Sequence, residues 1–513
     1  MLGKSPLLGM SKVGATPGHS EQQMILTHDL GTTGDKAAMF GDDGTPTAVI
    51  TVRYPTAFGP GGRAEQSPLD WWDAVLRSTR DLLERTGTAP AEITCVSFSG
   101  QMMGAVFLDG RGEPVRPAII WADTRSAGQC EHLLGRIPME RVYELTGHRL
   151  NATYSLAKVL WVREHEPDAY AATRAIVQAK DFVAHRLTGR LATDPSDASG
   201  TNAFDQVAGV WSEEILEAAG VPMTLWPEVV PSTTVIGHVT PEAAALTGLA
   251  QGTPVVIGGG DGPCAATGAG VVAPDGSAYT YLGSSSWISL AADAPLLDPG
   301  MRTMTFNHVV PGRFVPTATM QAGGASLEWI SEVLAAPHAD LLAAAGKVEA
   351  AGDGLFFLPH LLGERSPYWN PKARAAFIGL ARHHERAHLA RAVVEGVAMN
   401  LLTGLRAFTG NGTAIERIDA VGGAAVAGEV LRVLADVWGL PVRRRTIVEA
   451  NSLGAAIVGG VAMGVFDDFG VAPGLSAAEP AIMPDMIVHE RYIREYHRFL
   501  DAYARLEPWF NEH

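Results

Sequence analysis

The chain has 513 residues, room for at least two domains at about 100 to 200 residues each, and its 47% apolar and 18% charged content excludes a disordered polar chain. Lysine and arginine number 39 against 55 aspartates and glutamates, and the resulting net charge of −16 repels phosphate backbones and anionic headgroups, arguing against nucleic acid or a membrane surface as partner. The three cysteines, Cys95, Cys130 and Cys264, are too few and too scattered for a disulfide framework or a zinc knuckle and suit a reducing, cytoplasmic setting.

Residues 1–22 contain Lys4 and Lys12 but no apolar core such as a signal peptide needs, and are expected to form a disordered extension. The segment "MILTHDLGTTGDKAAMF" then reads as strand, turn and strand, with Asp29 at the edge of the turn. "DDGTPTAVITVRYP" adds a hairpin turn at Asp43 and Gly44 and a third strand from Ala48 to Tyr54. In "SPLDWWDAVLRSTRDLLERTG", Ser67 is a helix N-cap, Pro68 the first helical residue and Gly87 the stop, with Trp71 and Trp72 in the core or its rim. "ITCVSFSG" returns to a strand, and the alternation that follows defines an α/β architecture. The weakly polar run Ala450 to Phe466 is broken by Asn451, Ser452 and glycines and falls short of the ~20 apolar residues that span a bilayer.

A second unit begins at "TPVVIGGGDGPCAATGAG", where a buried strand at Val255 to Ile257 and a run of glycines deliver Asp261 to the strand's C-terminal end. Cys264 reads there as a small buried residue. "GSAYTYLGSSSWISLA" then echoes the opening hairpin, which points to an internal duplication with its boundary near residues 250–258. The expected division is an N-terminal domain of residues 23–255 and a C-terminal domain of residues 256–513.

The glycines and hydroxyls of Gly31, Thr32, Thr33 and Gly34 would let backbone N–H groups converge on a phosphate. The spacing of a Walker loop is absent, Lys36 falls inside the second strand, and a plain tight turn is the competing reading. A carboxylate beside an anion-binding loop makes sense if the anion arrives with Mg²⁺, which takes one or two protein carboxylates along with phosphate oxygens and water. Asp29 is therefore a metal candidate. Asp261 is the matching general base for an attacking hydroxyl, against the competing reading of a helix cap. His383, His384 and His388 resemble a metal cluster in composition only.

The segments "HDLGTTGDK", "SFSGQMMG", "WADTR", "AKVLWV", "TDPSDASGT", "GGGDG", "LGSSSW", "LPHLLGERSPYWNP", "AAFIGLARHHERAHLARAVVEG" and "NSLGAAIVGG" occur in the order found in the FGGY family of carbohydrate kinases, and the chain resembles that family from about residue 24 to residue 500. The resemblance implies two actin-like, ribonuclease-H-type α/β domains around a central cleft, with sugar mainly on the N-terminal domain and ATP mainly on the C-terminal one. It implies a catalytic base at Asp261, Mg²⁺ near Asp29 and Asp261, and Gly31, Thr32, Thr33 and Lys36 beside the transferred phosphoryl. Gly283, Ser284 and Ser285 match the family's second phosphate turn, and Gly324, Gly422, Gly423 and Ala424 its nucleotide-side segments. Gln101, Met102, Met103, Trp121, Asp123 and Gly262 fall on the sugar side.

Met103 stands where the family's "GQMHG" has histidine, and Gly262 where its xylulose-phosphorylating members have asparagine. The implied activity is ATP-dependent phosphorylation of a ketopentose primary hydroxyl, D-xylulose first, yielding D-xylulose 5-phosphate. Alternatives are ribulose, L-xylulose, an erythritol-like polyol or another ketose, and a non-catalytic sugar or nucleotide sensor on the same fold. A homodimer is a family expectation.

Overall fold

The computed structural model describes residues 23–350, 354–446 and 449–512, so the expected extension at residues 1–22 lies outside the described residues. Among them no helix is long and apolar enough to cross a membrane.

The first sheet begins with β1 (Met24–Leu30), β2 (Gly34–Phe40) and β3 (Pro46–Arg53), an antiparallel meander whose second turn uses Gly44 at φ 75°. Helix α1 (Pro68–Thr86) starts after Ser67 and ends at Gly87, whose φ of 69° is the left-handed cap that glycine adopts most cheaply. β4 (Ile93–Gly100) pairs parallel with β1, and β5 (Val235–His238), β6 (Pro254–Val256) and β7 (Gly259–Gly260) complete the sheet in the order β5-β6-β4-β1-β2-β3, with β7 also on β4. Its core gathers Leu26, Phe98, Trp71 and Trp72 with Phe182 and Leu187 of helix α2 (Ala179–Thr188).

The second sheet repeats the plan. β8 (Ser277–Leu282) and β9 (Ser286–Leu290) form the hairpin, β10 (Met304–Asn307) and β11 (Phe314–Met320) extend it antiparallel, and β12 (Arg417–Val421) and β13 (Val442–Arg444) add parallel strands beside β8. The order is β10-β11-β9-β8-β12-β13. The series β11-β9-β8-β12-β13 thus reproduces β3-β2-β1-β4-β6, a hairpin flanked by one antiparallel and two parallel strands. The expected dividing point between residues 255 and 256 lies inside β6, the first sheet continues to Gly260, and the second starts at Ser277.

The two units share a spine. Helix α3 (Asp261–Gly268) packs on helix α7 (Ala450–Ala462), so closely that a Cβ on Gly268 would sit 1.9 Å from the Ala450 carbonyl oxygen and one on Gly454 1.9 Å from that of Cys264. On its other face α7 buries Leu453, Ala456 and Ile457 with Ile25, Cys95 and Val256 of the first sheet. Helices α4 (Gly324–Val333), α5 (Arg386–Gly410) and α6 (Gly428–Trp438) cover the second sheet together with α8 (Met486–Glu512), which contributes Tyr492, Tyr496, Phe499 and Tyr503 to that core.

Candidate active site

β1 and β7 flank β4, with Asp29 opposite Ser99 on one side and Gly259 opposite the same residue on the other. Asp29 and Asp261 therefore stand at the same C-terminal edge of the sheet, one strand apart, where open α/β sheets bind ligands. At about 4.8 Å per strand step their backbones are roughly 10 Å apart.

Asp29 is buried, and its Oδ1 accepts from Ser99 Oγ at 2.7 Å and from Asn451 Nδ2 at 3.4 Å. Burial holds its pKa above the usual carboxylate value, with Ser99, Lys36 and Asn451 opposing the rise. Lys36 reaches across to an ion pair with Glu449, next to α7.

Asp261 is the first residue of α3, and the helix cap is Gly260, so the capping reading does not describe it. Its side chain is half-buried, and its Oδ1 accepts the Gly262 N–H at 2.8 Å. Burial and then the neighbouring Asp29 carboxylate push its pKa up to about 7, against the pull of the Gly262 and Asp261 backbone N–H groups and of Arg365. A carboxyl poised near neutrality is matched to general-base chemistry.

A buried platform carries it. Gly260 N–H donates to Ser196 Oγ at 2.9 Å, and Ser196 Oγ donates to Asp194 Oδ2 at 2.5 Å. Lys180 Nζ lies 2.7, 3.0 and 3.4 Å from carboxylate oxygens of Asp181, Asp194 and Asp197, all fully buried.

The Gly31–Thr33 turn is tied down by neighbours that the sequence scatters. Tyr54 OH donates to Gly31 O at 2.5 Å, Gln66 Nε2 to Thr32 O at 2.6 Å and Trp121 Nε1 to Thr32 Oγ1 at 2.8 Å, while Thr33 is exposed. Gln101, expected against the sugar, is buried and commits its amide nitrogen to Gln66 Oε1 at 2.9 Å and Gly31 O at 3.4 Å. It braces the turn.

Asp123 requires a correction. Expected to accept bonds from sugar hydroxyls, it is fully buried, and its carboxylate is taken up by the Ala64 N–H at 2.6 Å and by Arg125, whose Nη2 lies 2.5 Å from Oδ2. Arg125 continues to Glu65 at 2.8 Å, forming an ionic ladder behind the cleft wall. The partner sits only two residues on, in "WADTR", and it takes the acceptors that a sugar would need.

Met102 is buried so tightly against Gly260 that a Cβ there would lie 2.5 Å from its Sδ. Met103 is half-buried at φ 64°, an uncommon left-handed conformation for a residue with a side chain. Around Gly262 the space is open, with no heavy atom within 4 Å of a Cβ built on it.

The second turn is shaped by glycines. Gly324 N–H donates to Gly283 O at 2.7 Å and Ala325 N–H to Ser284 O at 3.1 Å, which seats the turn on the N-terminus of α4. Gly422 has φ 99°, and a Cβ on it would come within 2.7 Å of Leu282 O. Gly283, Ser284, Ser285, Gly324, Gly422, Gly423 and Ala424 thus gather at one edge of the second sheet, with Ser284 and Gly423 exposed.

Four side chains, Trp287, Tyr281, Tyr279 and Arg365, escaped the sequence reading of the site. Trp287 stacks on Tyr281 with ring centroids 4.2 Å apart, and its Nε1 donates to Tyr279 OH at 2.8 Å, which in turn donates to Gly262 O at 3.2 Å. The guanidinium of Arg365, from the "GERSP" loop, lies 5.7 Å from the Trp121 ring centre. Of these, Trp287 and Arg365 lie in segments that carried the family resemblance, "LGSSSW" and "LPHLLGERSPYWNP", but neither had been given a role. His383, His384 and His388 lie near one another, but among the described residues no group of three His, Cys, Asp or Glu side chains could hold a metal.

A paired α/β sheet system with matching turns around an acid-lined cleft is a two-domain kinase of the actin-like fold. The FGGY family of carbohydrate kinases supplies the match, its N-terminal domain over residues 24–268 and its C-terminal domain over residues 278–463. The chain belongs to that family and is a sugar kinase that uses ATP as co-substrate. It is 30% identical to the xylulose kinase of Bacillus subtilis over 86% of this chain and 89% of that protein. It is 29% identical to the gluconokinase of Bacillus licheniformis over 94% of this chain and 95% of that protein. The crystal structure of xylulose kinase from Rhodospirillum rubrum superimposes with a TM-score of 0.88 at 31% identity, covering 95% of this chain and all of that one.

Proposed function

We propose that this kinase transfers the γ-phosphoryl group of ATP to the primary hydroxyl of a ketopentose, D-xylulose before others, giving D-xylulose 5-phosphate and ADP. The observation that carries the proposal is Asp261, half-buried at the same sheet edge as Asp29, with its pKa pushed up to about 7. The names of the B. subtilis and R. rubrum relatives support xylulose as the sugar.

In this reading the sugar's primary hydroxyl oxygen attacks the γ-phosphorus, its proton passes to the Asp261 carboxylate, and the bond to the ADP oxygen breaks. Gly31, Thr32 and Thr33 cradle the transferring group, and Gly283, Ser284, Ser285, Gly324, Gly422, Gly423 and Ala424 line the nucleotide. Lys36, paired with Glu449, sets the spacing between the two sides rather than meeting phosphate directly. Asp29 and Asp261 fit Mg²⁺, a hard cation that takes one or two carboxylates and fills its remaining positions with phosphate oxygens and water. When bound, it would neutralise charge on the phosphates. Trp121, Met102, Met103 and Gly262 shape the sugar side. A cytoplasmic location, where ATP is supplied and the three thiols stay reduced, and a homodimer belong to the same proposal.

A second reading, another ketose or a polyol, is favoured by the open space at Gly262 and the apolar side chain at Met103. A coupled ADP-release assay across ketoses, aldoses and polyols decides between them. Histidine is among the residues enriched at positive φ, and asparagine has room at position 262, so Met103→His with Gly262→Asn should fold. If the second reading holds, the double variant moves preference toward D-xylulose by about 5- to 150-fold in kcat/KM, the value of one buried polar partner. A parent enzyme that already prefers D-xylulose widely, with a ranking unmoved by the double substitution, leaves the first reading standing. Turnover of no sugar in the panel overturns both.

A further inference from the structure

Arg365 carries a charge that no carboxylate among the described residues pairs with, and its Nε is buried without a hydrogen-bond partner. The Trp121 ring lies 5.7 Å from the guanidinium carbon, and Tyr154, Glu364 and Asp261 act on the group only at longer electrostatic range. Glu364, its neighbour in sequence, is spent elsewhere. Its Oε1 accepts from the Gln321 N–H at 2.9 Å and the Arg365 N–H at 3.0 Å, and its Oε2 from Asn400 Nδ2 at 2.9 Å. Burial holds the Arg365 pKa below the usual arginine value. A guanidinium in that position is expensive unless something with lone pairs comes to meet it.

The loop that presents it is fixed. Gly363 takes φ 74° where a Cβ would strike Pro371 O at 2.5 Å, Trp369 N–H donates to Arg365 O at 2.5 Å, and Trp369 Nε1 donates to Met301 O at 2.9 Å. Ser366 Oγ donates to Arg302 O. A rigid loop of the second half thus places a donor fork against a tryptophan of the first half, on the approach to Asp261.

Resting on the kinase reading above, we propose that Arg365 is a substrate-binding residue whose N–H groups donate to hydroxyl or carbonyl oxygens of the sugar held between Trp121 and Asp261. The indole offers an apolar face to the sugar's C–H groups, and the guanidinium adds the directional donors that this wall otherwise lacks. The sugar pocket is complete only with a residue from the nucleotide-side half.

Kinetics of the full chain test this with Arg365→Met and Arg365→Lys, using whichever sugar the parent turns over best. Hydrogen bonds to charged groups are worth about 10- to 150-fold in an equilibrium. The sugar KM should therefore rise about 10-fold or more in the methionine variant and less in the lysine variant, with the ATP KM within about twofold of the parent. A folded variant with unchanged sugar KM overturns the assignment, and so does an ATP KM that rises as far as the sugar's, since the contact would then be with nucleotide phosphate. A measurement on the unsubstituted enzyme does not depend on the variants folding. Sugar should slow modification of Arg365 by an arginine-specific dicarbonyl, read by peptide mass mapping, and a nucleotide analogue alone should not. Absence of protection by a sugar that is demonstrably turned over overturns the proposal while leaving the kinase reading intact.

Discussion

The two hairpin turns share a backbone plan and differ in the residue two places before the turn glycine, which is Asp29 in the first and Tyr281 in the second. In the first, a buried carboxylate stands beside a turn whose carbonyls are tied to Tyr54, Gln66 and Gln101. In the second, Tyr281 stacks on Trp287, and the turn keeps its shape by resting its backbone on Gly324 and Gly422. One copy of the motif has become a charged site, and the other an aromatic wall. A duplicated frame therefore supplies two similar phosphate-sized turns but one acidic edge, and the asymmetry places the chemistry on the first sheet.

The largest test of that asymmetry removes the acid that works with Asp29. Asp261→Asn is expected to lower kcat by about 100- to 10,000-fold while nucleotide affinity changes little, since general-base groups contribute in that range. The same variant carries a sign test. The folded-state pKa of Asp261 is raised to about 7, so the folded state takes up its proton more readily than the unfolded chain, and this group's contribution to stability falls as pH rises from about 4 to 7. Melting temperatures should show the asparagine variant more stable than the parent at pH 8, with the gap closing toward pH 4. The parent's kcat/KM should rise through pH 7 as the base of the free enzyme ionises. A folded variant with near-normal turnover removes Asp261 from the role.

A smaller effect is expected at the other acid. Asp29→Asn keeps the bond from Ser99 within reach and removes the charge, so the Mg²⁺ concentration for half-maximal rate should rise about 10-fold or more, the usual scale for disturbing a metal's carboxylate surroundings. An unchanged Mg²⁺ dependence would move the metal away from the first turn. The smallest effect probes the aromatic wall. Trp287→Phe keeps the stack on Tyr281 but deletes the donor to Tyr279, and a neutral hydrogen bond predicts a loss of about 0.5 to 1.5 kcal/mol of stability, read as a lower denaturant midpoint. An unchanged midpoint would show that this bond adds nothing to the wall.

What the sequence made legible was local in origin. Helix α1 begins after Ser67 and stops at Gly87 because a proline at the first turn and a glycine free to adopt positive φ act within a few residues. β4 spans the eight residues of "ITCVSFSG", where β-branched and aromatic residues alternate with small ones that fit a strand buried on both faces. The repeat of the hairpin was visible for the same reason. The site was legible in part, since Asp29 and Asp261 each end a strand and their neighbourhood follows from sheet order. Asp123 was misjudged because its carboxylate is consumed by Arg125 and a backbone amide from residue 64, a pairing made only in the folded chain. Arg365 and the bond from Trp121 to Thr32 were hidden because they join segments separated by about a hundred residues or more, and no periodicity records such meetings.

The seating of α7 on the first sheet has a consequence for the order in which the chain can be built. Ile25, Cys95 and Val256 leave the ribosome about two hundred residues or more before Leu453, Ala456 and Ile457, which cover them. Until then the part of that face which α7 covers stays open to water, and nascent chains that expose such surface are the ones that aggregate or recruit chaperones. Synthesis of this kinase thus includes a waiting interval, and a chain released after the second sheet begins but before residue 450 would carry two partly formed halves and no spine to join them.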